Sequence, residues 1–188
     1  MKSNSRGQEI VSISSKLFKQ KGYTAVTVRD IAESMGIKAA SLYNHISGKQ
    51  EILAHTIIPV AEAFYEGIQE IEGSSRTIPE KLGEIIKQHV ELTANNYYKM
   101  SALNNDWMHL EGDLERFLEL RNGYEVVFRN IIRSGKEEGI LKYQDEEVVV
   151  FSILSTLRNL YLWIPKKAKL NKKRLTENLS KVLLEGVL

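Results

Sequence analysis

The stretch from Thr27 to Leu53, TVRDIAESMGIKAASLYNHISGKQEIL, constrains the fold of this 188-residue chain more than any other. Thr27 is a suitable helix N-cap, and Asp30 follows three residues later, as in a capping box. Apolar residues then recur at helical spacing, at Val28, Ile31, Ala32 and Met35. Gly36 follows where a left-handed residue commonly ends a helix. The pattern therefore predicts a helix of about two turns that ends in a tight turn.

A second helix is predicted to begin within three residues of that glycine. Small residues open it, and Leu42 and Ile46, four apart, face inward. Ser47 and Gln50 form a second predicted capping box, so that a third helix follows at once. Two helices joined by a short turn that contains glycine make a helix-turn-helix, whose second helix is built to enter the DNA major groove.

The side chains around the second helix suit contact with DNA. Small residues at its first turn allow it to approach base edges closely, and hydroxyl, imidazole and cationic groups nearby can bind phosphate. Most of these contacts would position the protein rather than specify a base sequence. The predicted DNA-contacting residues are Thr27, Arg29, Lys38, Ala39, Ala40, Ser41, Tyr43, His45 and Lys49.

The same residues carry a family resemblance. The run T-(x)3-I-A-(x)3-G-I-(x)3-S-L-Y-x-H-I-(x)2-K-(x)3-L, from Thr27 to Leu53, resembles the DNA-binding signature of the tetracycline-repressor (TetR) family. The resemblance implies an all-helical, homodimeric, ligand-responsive repressor. Two positions depart from the commonest form of the signature: Lys38, where a small capping residue is frequent, and Ile46, where phenylalanine is usual.

Composition is that of a globular protein without disulfides. Hydrophobic residues make up 43% of the chain and charged residues 27%, and there is no cysteine. The N-terminal residues lack the apolar segment of a secretion signal, and no apolar run reaches the roughly 18 residues of a membrane span. We therefore expect a cytoplasmic protein without a membrane segment.

Positive charge is concentrated near the proposed DNA-binding region. Residues 1–55 hold eight Lys or Arg and four Asp or Glu, a net charge of +4, whereas residues 56–188 hold eighteen and twenty, a net charge of −2. Attraction to phosphate follows local charge rather than total charge. The asymmetry supports a division into a DNA-binding domain, residues 1–50, and a ligand-binding and dimerisation domain, residues 51–188.

The rest of the chain is predicted to be helical, which makes the fold all-α. Helix 1 should end before Gly22, and a long helix should start near Gly48 and continue to the linker at Gly73. Pro59 lies inside this helix pattern and is either a hinge or the start of a separate helix. Further helices are predicted from Pro79 to about residue 94 and from Tyr97 to about residue 110, interrupted at Asn95-Asn96. Another should follow Gly112.

The last two predicted helices suit a dimer interface. The segment VVVFSILSTLRNLYLWI, which Asp145 should cap and Pro165 should end, is apolar nearly all round and must be covered on both sides. The final helix carries Leu175, Leu179, Val182, Leu183 and Gly186 on one stripe. We therefore expect a homodimer that packs residues of about 145–164 and 172–187 into a four-helix interface. Such a dimer would present two recognition helices to an inverted-repeat operator.

Large side chains in the C-terminal part could line a pocket for a small-molecule inducer or could simply fill a core. Polar residues among them would need partners if buried, within the protein or on a ligand. The candidate ligand-binding residues are His89, Tyr97, Trp107, Met108, Phe117, Arg121, Tyr124, Phe128, Arg158 and Tyr161.

Other functions have weaker support in the sequence. Asp106 and His109, with His89, are the best arrangement for a metal, but solvated side chains explain them better, and we expect no metal, cofactor or catalytic residue. Six cations between Lys166 and Arg174 suggest a solvated loop more than a second nucleic-acid or membrane surface. The alternative function is a helical small-molecule-binding protein or enzyme whose N-terminal domain serves assembly.

Overall fold

The computed structural model describes residues 3–142, 145–166 and 171–185, and this part of the chain contains helices and loops but no strand. The helices are α1 (Ser3–Lys21), α2 (Val28–Ser34), α3 (Ala39–Leu42), α4 (Lys49–Glu72), α5 (Ile78–Asn105), α6 (Leu114–Glu137), α7 (Glu146–Arg158), α8 (Leu160–Trp163) and α9 (Lys172–Leu184). Short 3-10 turns occupy Trp107–His109 and Ile164–Lys166. The predicted all-α class is confirmed.

Contacts along the chain divide it into two compact units. The first, here called the head unit, contains residues up to Ala61 together with Tyr98–Leu118. The second, here called the C-terminal unit, contains Glu62–Tyr97 together with residues from Glu119 onward. The head unit thus includes a segment from the middle of the chain that a division at residue 50 leaves out, and that division stays a prediction.

The core of the head unit joins helices that are too short to be stable alone. α2 contacts both α1 and α3. Fully buried apolar side chains of α1 to α4 form this core and include Ile10, Phe18, Ile31, Leu42, Ile52 and Leu53. Burying each such side chain contributes about 1.5–3 kcal/mol, so this shared core holds α2 and α3 in place.

Two predicted irregularities in the long helices have different outcomes. α4 runs through Pro59 without interruption, with the proline exposed, so the prediction of a separate helix there is wrong and the hinge stays a prediction. α5 contains Asn96 in a non-helical conformation, with φ −131° and ψ 28°, which confirms the predicted interruption. The helical geometry resumes after Asn96 and ends at Asn105 rather than near residue 110.

In the C-terminal unit, α7 begins as predicted and ends early. The Asp145 carboxylate accepts hydrogen bonds from the backbone N–H groups of Glu147 and Val148. The helix does not continue to Pro165, since α7 ends at Arg158 and α8 begins after Asn159. The side chain of Asn159 donates to the carbonyl of Ser155, which competes with the helical backbone pattern.

Ion pairs join α6 to α7. Arg129 binds Glu147 at 2.6 and 3.0 Å, and Arg133 binds Glu146 at 2.9 Å.

Within the described residues, Glu146–Lys166 is long and apolar enough to cross a membrane by length and composition, which corrects the expectation that no stretch reaches that length. Of its most apolar window, 44% is buried inside the protein.

Candidate nucleic-acid interface

The start of α2 is held by the predicted capping box. The Thr27 hydroxyl accepts from the Asp30 N–H at 3.1 Å and donates to the Asp30 carboxylate at 2.6 Å, and the Thr27 N–H donates to the same carboxylate at 2.7 Å. These hydrogen bonds hold the pKa of Asp30 below its ordinary value. Because the reciprocal bonds satisfy backbone donors at the helix start, they fix where α2 begins.

The turn between α2 and α3 requires glycine. Gly36 has φ +66°, in the left-handed region that side chains disfavour. The Gly36 N–H donates to the carbonyl of Glu33 and the Ile37 N–H to that of Ala32, both at 3.0 Å. This pair of bonds is a Schellman motif, and it directs the chain from α2 into α3.

The outer face of α3 is open to solvent. Lys38, Ala40, Ser41 and His45 are exposed, Tyr43 is 56% exposed, and Ala39 is half-buried. Leu42 is fully buried and anchors the helix from behind. The α-helix ends at Leu42 and continues as turns to His45, so it is shorter than predicted. Lys38 makes no capping bond with its side chain, because an ammonium group has no acceptor.

The third helix of this region begins with a capping interaction one residue away from the predicted one. The Ser47 N–H and hydroxyl donate to the Glu51 carboxylate at 2.5 and 2.7 Å, so the partner is Glu51 rather than Gln50. These bonds, the backbone bond foremost, lower the pKa of Glu51. The arrangement fixes the loop between α3 and α4.

The Lys49 side chain is directed into the head unit. Its ammonium donates to the carbonyls of Tyr23 and Val26, each at 2.9 Å, and to that of Thr24 at 3.4 Å. The same ammonium lies 4.2 Å from the centroid of the Tyr23 ring. These contacts tie the first turn of α4 to the loop between α1 and α2, and we call them the Lys49 clamp.

Two of the predicted phosphate-contacting side chains use their donors inside the head unit. The Lys49 ammonium donates to three backbone carbonyls, and the Thr27 hydroxyl donates to Asp30. The phosphate contacts of Thr27 and Lys49 stay predictions. Arg29, by contrast, is exposed, as the predicted contact requires.

Tyr23 connects the Lys49 clamp to the second segment of the head unit. Its ring stacks on His109 with centroids 5.2 Å apart and meets Phe18 edge-on at 5.1 Å. The Asp106 carboxyl accepts a hydrogen bond from the Tyr23 backbone, while burial raises the pKa of Asp106. Nothing in the residue spacing around Tyr23 identifies His109 as its partner.

The predicted ligand-binding residues are distributed over both units. In the head unit, Phe117 is 2% exposed and stacks on Trp107 at 5.7 Å, whereas Met108 is 57% exposed. In the C-terminal unit, Phe128 and Tyr161 are buried, and Tyr97 is half-buried. Phe117 and Phe128 are therefore buried, and their contact with a ligand stays a prediction.

The polar candidates of the C-terminal unit have partners in the protein. Arg158 binds Glu125 at 2.6 Å, and Arg121 lies 3.9 Å from the same carboxylate. His89 is 4% exposed and its Nε2 lies 2.8 Å from the Tyr124 hydroxyl. Phe64 packs on the His89 ring at 4.6 Å, so the imidazole is enclosed by aromatic side chains.

A groove of about 370 Å³ lies elsewhere in the C-terminal unit, between α4 and α5. Its lining includes Glu70, Glu84 and Glu91 as well as Arg76 and Lys87, and none of the predicted ligand-binding residues contributes to it. The mixture of charges gives the groove no clear preference for one kind of ligand.

The metal site that the sequence raised as a possibility is not formed. In the described ranges, no group of three histidine or acidic side chains is placed to hold a metal ion. His109 is stacked on Tyr23, and His89 is paired with Tyr124. In the basic loop between Lys166 and Arg174, residues 167–170 lie outside the described residues.

Comparisons with known proteins agree with this architecture. Residues 10–56 match the family described as "Bacterial regulatory proteins, tetR family", and residues 75–187 match "Tetracyclin repressor-like, C-terminal domain". The HTH-type transcriptional repressor KstR2 of Mycobacterium tuberculosis (strain ATCC 25618 / H37Rv) is 22% identical over 187 residues, covering 98% of this chain and 94% of that protein. The fatty acid metabolism regulator protein of Bacillus subtilis (strain 168) is 21% identical over 182 residues, covering 95% and 94%.

Solved structures show the same fold. The ketosteroid transcriptional regulator KstR2 of Mycobacterium tuberculosis aligns with a TM-score of 0.91 at 21% identity, covering 98% of this chain and 95% of that one. The TetR family regulator PfmR of Thermus thermophilus aligns with a TM-score of 0.81 at 23% identity, covering 94% and 97%. These likenesses span nearly the whole chain and show that its fold is shared with these regulators.

Proposed function

This chain belongs to the tetR family of bacterial regulatory proteins, and from that premise we propose that it is a homodimeric repressor of transcription. It binds an inverted-repeat operator through α3 and releases it when a small apolar or amphipathic molecule binds the C-terminal unit. The observation that carries the proposal is the exposed, small-residue face of α3 on a rigid support. A regulator of this kind acts in the cytoplasm, where the DNA is, and needs no catalytic residue.

The proposed DNA face is divided by role. Ala39, Ala40 and Ser41 leave room for close approach to base edges, while Arg29, Lys38, Tyr43 and His45 lie around them as phosphate-contacting groups. Thr27 and Lys49 belong to the support, because their donors are used inside the head unit. A rigid support favours binding, since little freedom is lost when DNA is bound.

Dimerisation is supported by an exposed apolar face on the last helices. Phe151 is 72% exposed, Val182 75%, Val148 53% and Leu162 49%. Large apolar side chains grouped in this way typically mark an interaction site. We propose that α7, α8 and α9 pack on the same helices of a second copy, which would set the two recognition helices near one DNA turn apart, about 34 Å, or a multiple of it. Residues 186–188, at the end of the predicted interface, lie outside the described residues.

A membrane span through the same helices is less consistent with the contacts. Arg158, in the middle of Glu146–Lys166, is bound to Glu125 of α6, and the helix is interrupted at Asn159. A charged side chain at the centre of a membrane span costs free energy, and Arg158 already forms an ion pair with Glu125 inside the protein. A second copy of the chain therefore explains the exposed apolar face better.

The nature of the inducer is suggested by the relatives. One is named a ketosteroid transcriptional regulator and another a fatty acid metabolism regulator protein, and both names refer to apolar metabolites. We propose an apolar inducer for this chain as well, bound in the C-terminal unit near the His89–Tyr124 pair.

Duplex DNA binding measured by fluorescence anisotropy across a range of salt concentrations tests the proposal. A dimer that contacts phosphates should lose affinity steeply, with a log–log slope of about −0.9 for each phosphate neutralised. Arg29→Ala and Tyr43→Ala should weaken binding to operator and random duplexes alike, whereas Lys87→Ala, which removes an equal charge from the C-terminal unit, should not. Binding that is insensitive to salt and to both substitutions in the head unit would refute the DNA face.

A further inference from the structure

The face of α5 in the C-terminal unit carries two buried polar atoms without partners. His89 and Thr93 lie four residues apart on this helix, 4% and 0% exposed respectively. In the described part of the protein, neither His89 Nδ1 nor Thr93 Oγ1 has a hydrogen-bonding partner. Most buried polar atoms in proteins are paired, and an unpaired one costs about 1–3 kcal/mol. Two on one helix face therefore call for an explanation.

The hydrogen bond on the other side of the imidazole indicates which proton His89 carries. Its Nε2 lies 2.8 Å from the Tyr124 hydroxyl. If Nε2 were the donor, the buried hydroxyl proton of Tyr124 would have no acceptor among the described groups. Tyr124 therefore donates to Nε2, and the neutral ring carries its proton on Nδ1. That proton is the unpaired donor.

The His89 and Tyr124 side chains of this cluster are both uncharged. Burial, with a contribution from the field of Arg158, lowers the pKa of His89 to about 3, so the ring is neutral at physiological pH. Burial also raises the pKa of Tyr124, which keeps its proton. Arg158 itself is paired with Glu125 at 2.6 Å. The guanidinium group whose field reaches His89 is thus already paired with a carboxylate of the protein.

A buried threonine in the head unit shows what the ordinary arrangement looks like. Thr56 is also 0% exposed in a helix, but its hydroxyl donates to the Ile52 carbonyl at 2.7 Å and lies 3.4 Å from the Ser15 hydroxyl. Thr93 makes no equivalent bond to the carbonyl four residues back. Its hydroxyl is therefore buried and unpaired among the described residues.

We propose that His89 and Thr93 form a buried subsite for an uncharged oxygen of the inducer, a ketone or an alcohol. The His89 Nδ1–H donates to that oxygen, and the Thr93 hydroxyl donates to it or accepts from it. A carboxylate would be desolvated beside a neutral ring, and a hydrocarbon would leave both protein groups unpaired, so both are disfavoured. The subsite rests on the proposed ligand-responsive function and deepens it by naming the polar group that the inducer carries.

A pair of isosteric substitutions tests the cluster without any ligand. Thr93→Val keeps the shape of the side chain and removes an unpaired hydroxyl, so it should raise Tm by about 2–4 °C. Thr56→Val removes a paired hydroxyl and should lower Tm by a similar amount. A fall in Tm for Thr93→Val comparable to that for Thr56→Val would show that the Thr93 hydroxyl is satisfied in solution and would overturn the proposal.

Matched small probes test the ligand class. In protein with ¹⁵N-labelled histidine, and with the His89 signals assigned from a His89→Gln variant, cyclohexanone and cyclohexanol should shift the Nδ1 resonance of His89. Methylcyclohexane and cyclohexanecarboxylate should not, and Thr93→Val should weaken the apparent affinity for cyclohexanone about 5- to 10-fold. The absence of a shift with the neutral oxygen compounds, or an equal response to the carboxylate, would overturn the subsite.

The DNA assay keeps the two proposals separable. Without any probe, the wild type should bind duplex DNA, whether or not the subsite exists. If DNA binding is normal and cyclohexanone has no effect at His89, the subsite is wrong and the repressor function stands. If the wild type does not bind DNA, the proposed function is wrong whatever the probes show.

Discussion

Two polar regions of this protein, the support of the recognition helix and the buried face of α5, are built in opposite ways. In the support, the Lys49 ammonium is surrounded by three carbonyls, and the Thr27 hydroxyl both donates and accepts. On α5, His89 and Thr93 each keep a polar atom without a partner. Saturated hydrogen bonding specifies one geometry, whereas an unsaturated buried group gains from a molecule that completes it. We therefore expect the first region to be rigid, and the second is the region that we propose binds the inducer.

One buried hydroxyl of the head unit is also unpaired. Ser14 of α1 is fully buried and its hydroxyl also lacks a hydrogen-bonding partner in the described part of the chain. It lies on α1 rather than among the residues that support α3, and no second unpaired atom accompanies it among the described residues of that helix. A single unpaired hydroxyl does not make a subsite, so the contrast concerns the two regions and not the whole units.

The largest expected effect concerns the exposed apolar face of α7, α8 and α9. This face is large and apolar, whereas the exposed face of α3 is small and polar. Phe151→Asp should raise the dimer dissociation constant at least 100-fold, because two-fold symmetry removes two aromatic side chains from the interface and adds two charges. Analytical ultracentrifugation would measure it, and operator affinity should fall in parallel. Val126→Asp, at a 53% exposed position of α6, is the control and should leave the dimer intact. A Phe151→Asp protein that remains dimeric would place the interface elsewhere.

The Lys49 clamp should have the next largest effect, on stability. Lys49→Met leaves three carbonyls without their donor and should cost about 2 kcal/mol, lowering Tm by about 4–8 °C. Lys38→Met removes the same charge from an exposed side chain and should leave Tm nearly unchanged. Circular dichroism melting curves would measure both.

Salt dependence of DNA binding then separates the two lysines by role. Lys38→Met should reduce the log–log slope by about 0.9 for one lost phosphate contact, whereas Lys49→Met should weaken binding with the slope unchanged. If Lys49→Met instead kept Tm and reduced the slope, Lys49 would be the phosphate contact that the sequence pattern suggests.

The roles of Lys49 and Thr27 show where sequence reasoning succeeds and where it stops. Capping at Thr27, the glycine turn and the capping of α7 by Asp145 depend on neighbours within four residues, and each is found as predicted. The Lys49 clamp depends on carbonyls more than twenty residues earlier in the chain, which meet only after α1 and α4 have packed. Residue spacing could place Lys49 at a helix start but could not show the direction of its side chain.

The same limit applies to the C-terminal unit. The sequence places His89 and Thr93 four residues apart on one predicted helix. It does not show whether they have hydrogen-bonding partners, because the partner of His89, Tyr124, lies on another helix and the Thr93 hydroxyl makes no bond within its own helix. The break at Asn159 was hidden for the opposite reason, because the apolar pattern continues across it without a change. Helix class and direction follow from local pattern, whereas pairing across helices does not.

The smallest expected effect concerns the capping box of α2. Thr27→Ala removes the side chain that accepts from the Asp30 N–H and donates to the Asp30 carboxylate, so it should lower Tm by about 2–4 °C. Because α2 positions α3, DNA affinity should fall modestly as well. Thr77→Ala, which removes the corresponding hydroxyl contact to Glu80 at the start of α5, is a matched control: it should lower Tm similarly but leave DNA affinity unchanged.

The melting temperature of Thr27→Ala in acid tests whether Thr27 stabilises α2 through its hydrogen bonds to the ionised Asp30. The bonds from Thr27 hold the pKa of Asp30 below its ordinary value of 3.8 in the folded protein. A depressed carboxyl pKa contributes stability that is fully present above the unfolded-state value and is lost as pH falls through the folded-state value. Between about pH 5 and pH 3, wild type should therefore lose more stability than Thr27→Ala does, and the gap between their melting temperatures should narrow. A gap that stays constant or widens in acid would mean that Thr27 supports α2 through packing and not through its bonds to the ionised Asp30.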